Sequence, residues 1–432
     1  MAGAQEPGTM YTKQVRIAAL AGRFPQRAFT SLAHHLDVQW LKTAYLMTRR
    51  DGAVGIDGQT ADDFARDFEA NIQRLLEAAK SGRYQAPPVR RVHIPKGDGH
   101  ATRPIGIPTF EDKVLQRAVV ALLEPLYEHD FLDGSYGFRP GRSAHQAIQT
   151  VRDGLMSMGG GWVIDLDIQA FFDTIDHQHL RAFLQQRVKD GVILRLIGKW
   201  LKAGVLEAGQ WQKGEIGSPQ GGVISPLLAN VYLHYVLDEW FENDVKPRLR
   251  GQTFSARFAD DAVLAFSNEA DARKVLEVLP KRFARFGLTL HSTKTRLVRF
   301  RPHREKRAET FDFLGFTHYW GKSRYGRMVI KRKTAKGRLQ RSLRRIALWC
   351  RWNRHLPIRE QHRRLRSKVQ GHYAYYGIRG NMRSLRSFRQ HVTETWIRWL
   401  RRRSQRAYFS WDKASQLLSL LPLPPARIMQ RC

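Results

Sequence analysis

The chain has 432 residues, 42% of them hydrophobic, and a formal net charge of +34. That length accommodates about three domains with packed cores. The charge is far from that of an ordinary soluble enzyme and points to a polyanionic partner, nucleic acid before an anionic membrane. Two cysteines, Cys350 and Cys432, with no Cys-x-x-Cys pair exclude a disulfide framework and a cysteine zinc site, and no apolar run approaches the ~20 residues that span a bilayer.

Residues 301–432 hold 34 Lys and Arg against 6 Asp and Glu, a net of +28, so the charge is concentrated in a basic C-terminal arm. Residues 1–31 are Arg-rich and acid-poor, without a secretory apolar core. They are expected to be a poorly ordered lead, with an organellar transit peptide as a weaker alternative. Helical patterning follows over 32–50. A Gly/Asp-rich turn at 51–58 precedes a second helix near 61–80. Val89 to Ile94 alternates as a strand, Pro95 to His100 forms a hairpin tip, and Arg103 to Ile107 returns. Thr109, with Asp112 three residues on, starts a helix to about Leu123.

The segment 161–168 alternates strictly, which predicts Val163, Asp165 and Asp167 on one strand face and Ile164, Leu166 and Ile168 on the other. One long helical stretch is predicted from there to about Lys202. Ser225-Pro226 caps a helix to Trp240. Thr253–Phe258 and Ala262–Phe266 form a hairpin with Asp260 and Asp261 at its turn. A helix near 270–286 and strands near 288–300 and 311–319 follow. Leu339, Leu343, Ile346 and Trp349, and then Leu385, Phe388, Val392, Trp396 and Trp399, mark amphipathic helices with Arg-rich outer faces, a three-helix unit over about 336–405.

Burying adjacent carboxylates needs a compensating cation. If the strand that ends in Asp167 neighbours the hairpin that carries Asp260 and Asp261, three carboxylates meet with no local Lys or Arg. That is a hard-oxygen site suited to Mg²⁺, and two such ions about 4 Å apart activate an attacking oxygen and stabilise a leaving one. An Asp-rich turn in solvent is the plainer alternative. Between these segments, Gly217-Ser218-Pro219-Gln220-Gly221-Gly222 places a glycine-rich loop before a helix N-terminus, where small residues allow a substrate close to the backbone and the dipole favours phosphate.

Eight segments in this order, DGAVGIDG (51–58), IPKGDGHATRPIGIPTFEDKVLQ (94–116), SYGFRPGRSAHQAI (135–148), DLDIQAFFDTIDH (165–177), GSPQGGVISPLLANVYL (217–233), RFADD (257–261), LTLHSTKT (288–295) and FDFLGF (311–316), resemble the group II intron reverse transcriptase/maturase proteins. GHYAYYG (371–377) resembles their maturase-specific region. The likeness runs from about residue 32 to about 410. It implies an α+β right-hand polymerase, with fingers, a palm built on an antiparallel sheet and an all-α basic thumb. The expected division is a lead over 1–31, an N-terminal extension and fingers over 32–160, and a palm with finger elements over 161–320. A thumb/maturase helical domain over 321–410 and a short tail over 411–432 complete it.

The resemblance also implies roles. Asp167, Asp260 and Asp261 are the catalytic metal-binding carboxylates for two Mg²⁺ ions, with Mn²⁺ able to substitute, while Asp165 is structural. Phe172 falls at the sugar gate, where a ring excludes a ribose 2′-hydroxyl, unless it or Phe171 is core. Lys96 and Arg103 clamp the triphosphate. Gln220 and Phe258 face the nucleotide, and Lys294 lies by the leaving group unless it is a surface lysine. The turn at Gly315 supports the primer end. Tyr373, Tyr375 and Tyr376 either stack on template or primer bases or belong to the core, Tyr373 and Tyr376 being the two assigned to binding.

The implied partners are group II intron RNA, an RNA template with a DNA primer, target DNA and dNTPs, with no membrane. The implied location is cytoplasmic and nucleoid-associated. The sequence departs from the family pattern at Phe258, usually tyrosine, and at His291, usually asparagine. No endonuclease cluster is expected after Trp411. Asp176-His177-Gln178-His179 reads as a helix start rather than a metal site. Alternatives in function are an RNA-folding maturase without polymerisation and a free-standing reverse transcriptase.

Overall fold

The structure, a computed structural model, describes residues 9–95, 102–207, 210–212, 217, 221–302, 309–403 and 409–430. Helices are α1 (Met10–Arg23), α2 (Val38–Met47), α3 (Ala61–Arg66), α4 (Phe68–Ser81), α5 (Phe110–Asp130), α6 (Ala144–Ser157), α7 (Phe171–Thr174), α8 (His177–Arg187), α9 (Gly191–Lys202), α10 (Ser225–Leu233), α11 (Glu269–Ala284), α12 (Lys336–Trp352), α13 (Ile358–Tyr376), α14 (Met382–Leu400) and α15 (Trp411–Leu420). Strands are β1 (Val89–Pro95), β2 (Thr102–Ile107), β3 (Gly161–Leu166), β4 (Ile168–Gln169), β5 (Val205–Glu207), β6 (Gln210–Gln212), β7 (Thr253–Phe258), β8 (Asp261–Phe266), β9 (Thr289–Leu290), β10 (Arg296–Phe300), β11 (Phe311–Phe313), β12 (Phe316–Lys322) and β13 (Met328–Thr334). Among the described residues no helix is long and apolar enough to cross a membrane. Two compact units interleave along the chain, residues 1–143, 166–264 and 270–296 in the first and 144–165, 265–269 and 297–432 in the second.

In the first unit, α5 is the central helix and buries Val114, Leu115, Ala118, Val119, Leu122, Leu123 and Leu126. Thr109 caps it as expected, accepting from the Asp112 N–H at 3.3 Å. The expected poorly ordered lead instead contains α1, capped by Thr9 and burying Met10, Ile17 and Ala21. Gln14 donates to the Ala121 carbonyl of α5 at 2.7 Å. Apolar residues of α1 at helical spacing therefore found a partner face that local composition does not display. The sheet order is β2-β1-β5-β6, with β1 antiparallel to β2 in the register Ile94↔Arg103. The long helix predicted to Lys202 is broken into α7, α8 and α9, because Asp176 and Asp190 take N-cap positions: Asp176 accepts from the His179 N–H, and Asp190 from those of Val192 and Ile193. The His177 cluster is thus a helix start. The helix beginning at Ser225 has Ile224 at its cap position and gives way after Leu233 to π-helical segments at His234–Asp238 and Trp240–Val245.

In the second unit, β11, β12 and β13 form an antiparallel sheet, with Phe313↔Phe316 closing the first hairpin. Sequence patterning did not single out β13. The three predicted basic helices appear as α12, α13 and α14 and enclose Ile346, Leu365, Val369, Leu385, Phe388, Val392 and Trp396. The expected tail contains α15, and Ala414 and Leu423 join the same core.

Candidate active site

β7 and β8 join through Ala259 and Asp260 alone. Ala259 has φ 58°, the positive value required at the first central residue of a two-residue hairpin turn. For alanine that conformation is uphill by roughly 1–2 kcal/mol, so the surroundings must hold it. Asp260 is half-buried at the tip. Burial pushes its carboxyl above the usual carboxylate range, and the Asp167 charge pushes the same way. The turn's own N–H and the Arg103 and Arg257 guanidiniums pull it back only in part.

Asp167 does not continue a strand. β3 ends at Leu166, and β4 pairs antiparallel with β9 through Ile168↔Leu290 and Gln169↔Thr289. The predicted single strand over 161–168 is therefore two, interrupted at Asp167, and β3 is covered on both faces, since Val163 and Ile164 are both fully buried. At the break, the Asp167 N–H donates to Thr295 Oγ1 at 3.3 Å, and the Asp167 carbonyl accepts from the His291 N–H at 2.9 Å. His291 thus serves Asp167 through its backbone, a bond open to any residue but proline. Lys294 Nζ stands 3.4 Å from both carboxylate oxygens of Asp167. The side chains of Lys294 and Asp167 are 59% and 35% exposed, so the pair adds little stability but keeps its charges accessible.

One expectation needs correction. The site is not free of basic groups: Arg103 and Lys294, brought in from segments distant in the chain, and Arg257, three residues before Asp260 on β7, all act on its carboxylates. Among the described residues no three His, Cys, Asp or Glu side chains stand close enough to hold a metal ion by themselves. Asp261 is the exposed first residue of β8. Asp167 and Asp260 still fit Mg²⁺, which binds through one or two carboxylates and completes its shell with water and substrate phosphates. The desolvation and mutual repulsion of these two carboxylates are what a divalent cation relieves.

Phe172 is half-buried with its ring 5.3 Å from that of Phe171, which takes the core position at 3% exposure. Phe258 lies 6.3 Å from Phe138, an exposed ring with φ 57° that sequence reasoning missed. Its only signal is its place in SYGFRPGR. Arg103 is exposed on β2. Lys96 and Gln220 lie outside the described residues. The glycines of the loop serve the chain itself: Gly221 has φ 118°, and a Cβ there would fall 2.5 Å from the Gly106 carbonyl oxygen of β2.

In the second unit, the turn before β12 has positive φ at Leu314 (49°) and Gly315 (81°). The Tyr375 O–H donates to the Leu314 carbonyl at 2.8 Å, and the Tyr376 hydroxyl lies 3.1 Å from where a Cβ on Gly315 would stand. Tyr373 is 1% exposed and donates to the Pro424 carbonyl at 3.2 Å. Tyr373 takes the core position of the two readings open to it, and Tyr375 is the one that bonds the turn.

Residues 94–318, which include Asp167, Asp260 and Lys294, match the family described as Reverse transcriptase (RNA-dependent DNA polymerase). The chain belongs to that family. This reverse transcriptase is 42% identical over 211 residues to the group II intron-encoded protein LtrA of Lactococcus lactis subsp. cremoris, a match covering 48% of this chain and 34% of LtrA. It is 35% identical over 331 residues to protein YkfC of Escherichia coli, covering 68% of this chain and 83% of that one. Nuclear intron maturase 1, mitochondrial, of Arabidopsis thaliana is 37% identical over 95 residues, covering 22% and 13%. The chain spans about a third of the length of LtrA. A solved telomerase structure from Candida albicans is 14% identical with TM-score 0.45, covering 84% of this chain and 66% of that one, a likeness too distant to carry any argument. The α+β class expected from the sequence is that of the reverse transcriptases.

Proposed function

We propose that the protein is an RNA-directed DNA polymerase that copies intron RNA into DNA and binds group II intron RNA to assist splicing and mobility. The observation that carries the reading is the confrontation of Asp167 and Asp260, with Lys294 and Arg103 beside them, at a strained hairpin tip. Asp167 and Asp260 would hold Mg²⁺, which supplies charge stabilisation for the attacking and leaving oxygens. Asp261, the first residue of β8, would be the third carboxylate of that site. Arg103 receives the negative charge of the incoming triphosphate. The Lys294 ammonium, already beside Asp167, is the proton source for the departing pyrophosphate. The Phe172 ring closes the space a ribose 2′-hydroxyl needs.

Residues 32–160 read as extension and fingers, 161–320 as palm and 321–410 as thumb and maturase region. The Arg-rich outer faces of α12, α13 and α14 suit phosphate contacts that grip without reading sequence. The relatives' names, a group II intron-encoded protein and an intron maturase, support the intron RNA as substrate and partner.

The test is primer extension on an RNA template with dNTPs and Mg²⁺, the protein against Asp260→Ala at matched template binding. Extension that disappears in the variant is expected. No extension by the folded, RNA-binding protein would overturn polymerisation and leave an RNA-folding maturase.

A further inference from the structure

Arg257 stands two residues before Ala259 on β7, and its side chain is 2% exposed. A lone guanidinium is not buried without matching acceptors. Here all five N–H donors are engaged. Nε donates to Asp238 Oδ1 at 2.8 Å, Nη1 to Asn230 Oδ1 and to the Ala259 carbonyl, both at 3.0 Å, and Nη2 to Ser135 Oγ at 2.7 Å and to Asp238 Oδ2. The backbone is tied as well: the Arg257 N–H donates to the Gly134 carbonyl at 2.7 Å, and its carbonyl accepts from the Tyr136 N–H at 2.8 Å. Asp238 ends the π-helical segment His234–Asp238, and Asn230 lies about two turns earlier on α10. π-Helical turns inside helices occur frequently at functional sites.

One of these bonds acts on the catalytic carboxylate. The Ala259 carbonyl and the Asp260 N–H belong to a single rigid peptide plane. A hydrogen bond that fixes that carbonyl therefore fixes the direction in which Asp260 leaves the turn. Because Ala259 sits at φ 58°, the plane is in a conformation alanine does not choose by itself. We propose that Arg257, anchored by Asp238, Asn230 and Ser135, is the positioning residue that holds the Ala259–Asp260 turn in its working geometry. Lysine cannot replace it, because one ammonium with three donors cannot span acceptors set out for a planar fork.

The inference rests on the polymerase reading, and the experiment separates the two. Single-turnover extension is measured for the protein, Arg257→Lys, Asp238→Asn and Ser135→Ala, with dNTP and template–primer affinities determined for each. Hydrogen exchange is followed over the peptide 253–266. Arg257→Lys is expected to lower the rate per folded molecule about 100-fold, the cost of a ~1 Å misplacement. Its affinities should stay within about threefold, and exchange should speed up at the turn alone. Ser135→Ala, which removes a single bond at the far end of the fork, should lower the rate less. Arg257→Lys at the full rate per folded molecule, or a loss found wholly in the folded fraction, overturns the proposal. Should the unaltered protein extend no primer, the polymerase reading fails. Exchange at the turn then decides alone: unchanged protection in Arg257→Lys and Asp238→Asn refutes the positioning role.

Discussion

Gly137 offers the sharpest test of how tightly the Asp260 hairpin is held. It is not in the left-handed region, so its backbone accepts any residue and the constraint is space alone. A Cβ there would stand 2.3 Å from the Ala259 nitrogen and 2.9 Å from the Phe258 carbonyl carbon, both main-chain atoms. Ordinary contact begins near 3.4 Å, so the gap must open by about 1 Å. Gly137 cannot simply recoil, because Asn230 Nδ2 donates to its carbonyl at 2.6 Å. Overpacking of this kind costs about 1–3 kcal/mol, and moving a catalytic carboxylate by ~1 Å costs about 100-fold in rate. Gly137→Ala should therefore lower the denaturant midpoint and cut single-turnover extension about 100-fold while RNA affinity is retained. A variant with the original midpoint and rate would refute the idea that this close approach sets the turn.

Asp112 is 1% exposed with Oδ1 lacking a hydrogen-bond partner, and burial raises its carboxyl to about 7 against a weaker opposing bond from Trp200. The folded state then keeps a proton that the unfolded chain releases near pH 4, so stability should fall as pH rises from about 4 to about 7, by up to ~4 kcal/mol, and level off above. Denaturation across this range should show that slope flattened in Asp112→Asn; equal slopes would refute it. Arg187, 4% exposed, donates to Asp130 at 2.7 Å and to the Phe24 and Arg27 carbonyls at 2.9 and 2.6 Å. Arg187→Met should cost about 3–5 kcal/mol by leaving Asp130 unpaired and should speed proteolysis within residues 20–31, whereas unchanged cleavage would count against it. Tyr375→Phe removes the donor to Leu314 and should cost about 0.5–1.5 kcal/mol, with weaker primer use in extension assays and unchanged RNA binding; normal primer affinity would show the turn to be indifferent to that bond.

The hairpin around Asp260 was legible because a strand, a two-residue turn and a strand are local patterns, each written within a few residues of the next. The basic helices α12, α13 and α14 were legible for the same reason, their apolar residues recurring at helical spacing. The breaks at Asp176 and Asp190 carried the cap residues that cause them, although the apolar run around them read as continuous helix. What the local pattern could not supply were the partners. Nothing near Met10–Arg23 displays the α5 surface it packs on. Nothing near Asp167 announces Lys294, 127 residues away. The role of Arg257 was also hidden, because its value lies in acceptors drawn from α10, from a π-helical turn and from the chain at Ser135. Periodicity determines which face of an element is apolar and where its turns fall. The pairing of carboxylates with their distant cations, and the strain accepted at Ala259, are decided when those elements pack, because charge burial and hydrogen-bond satisfaction are properties of the assembled interior.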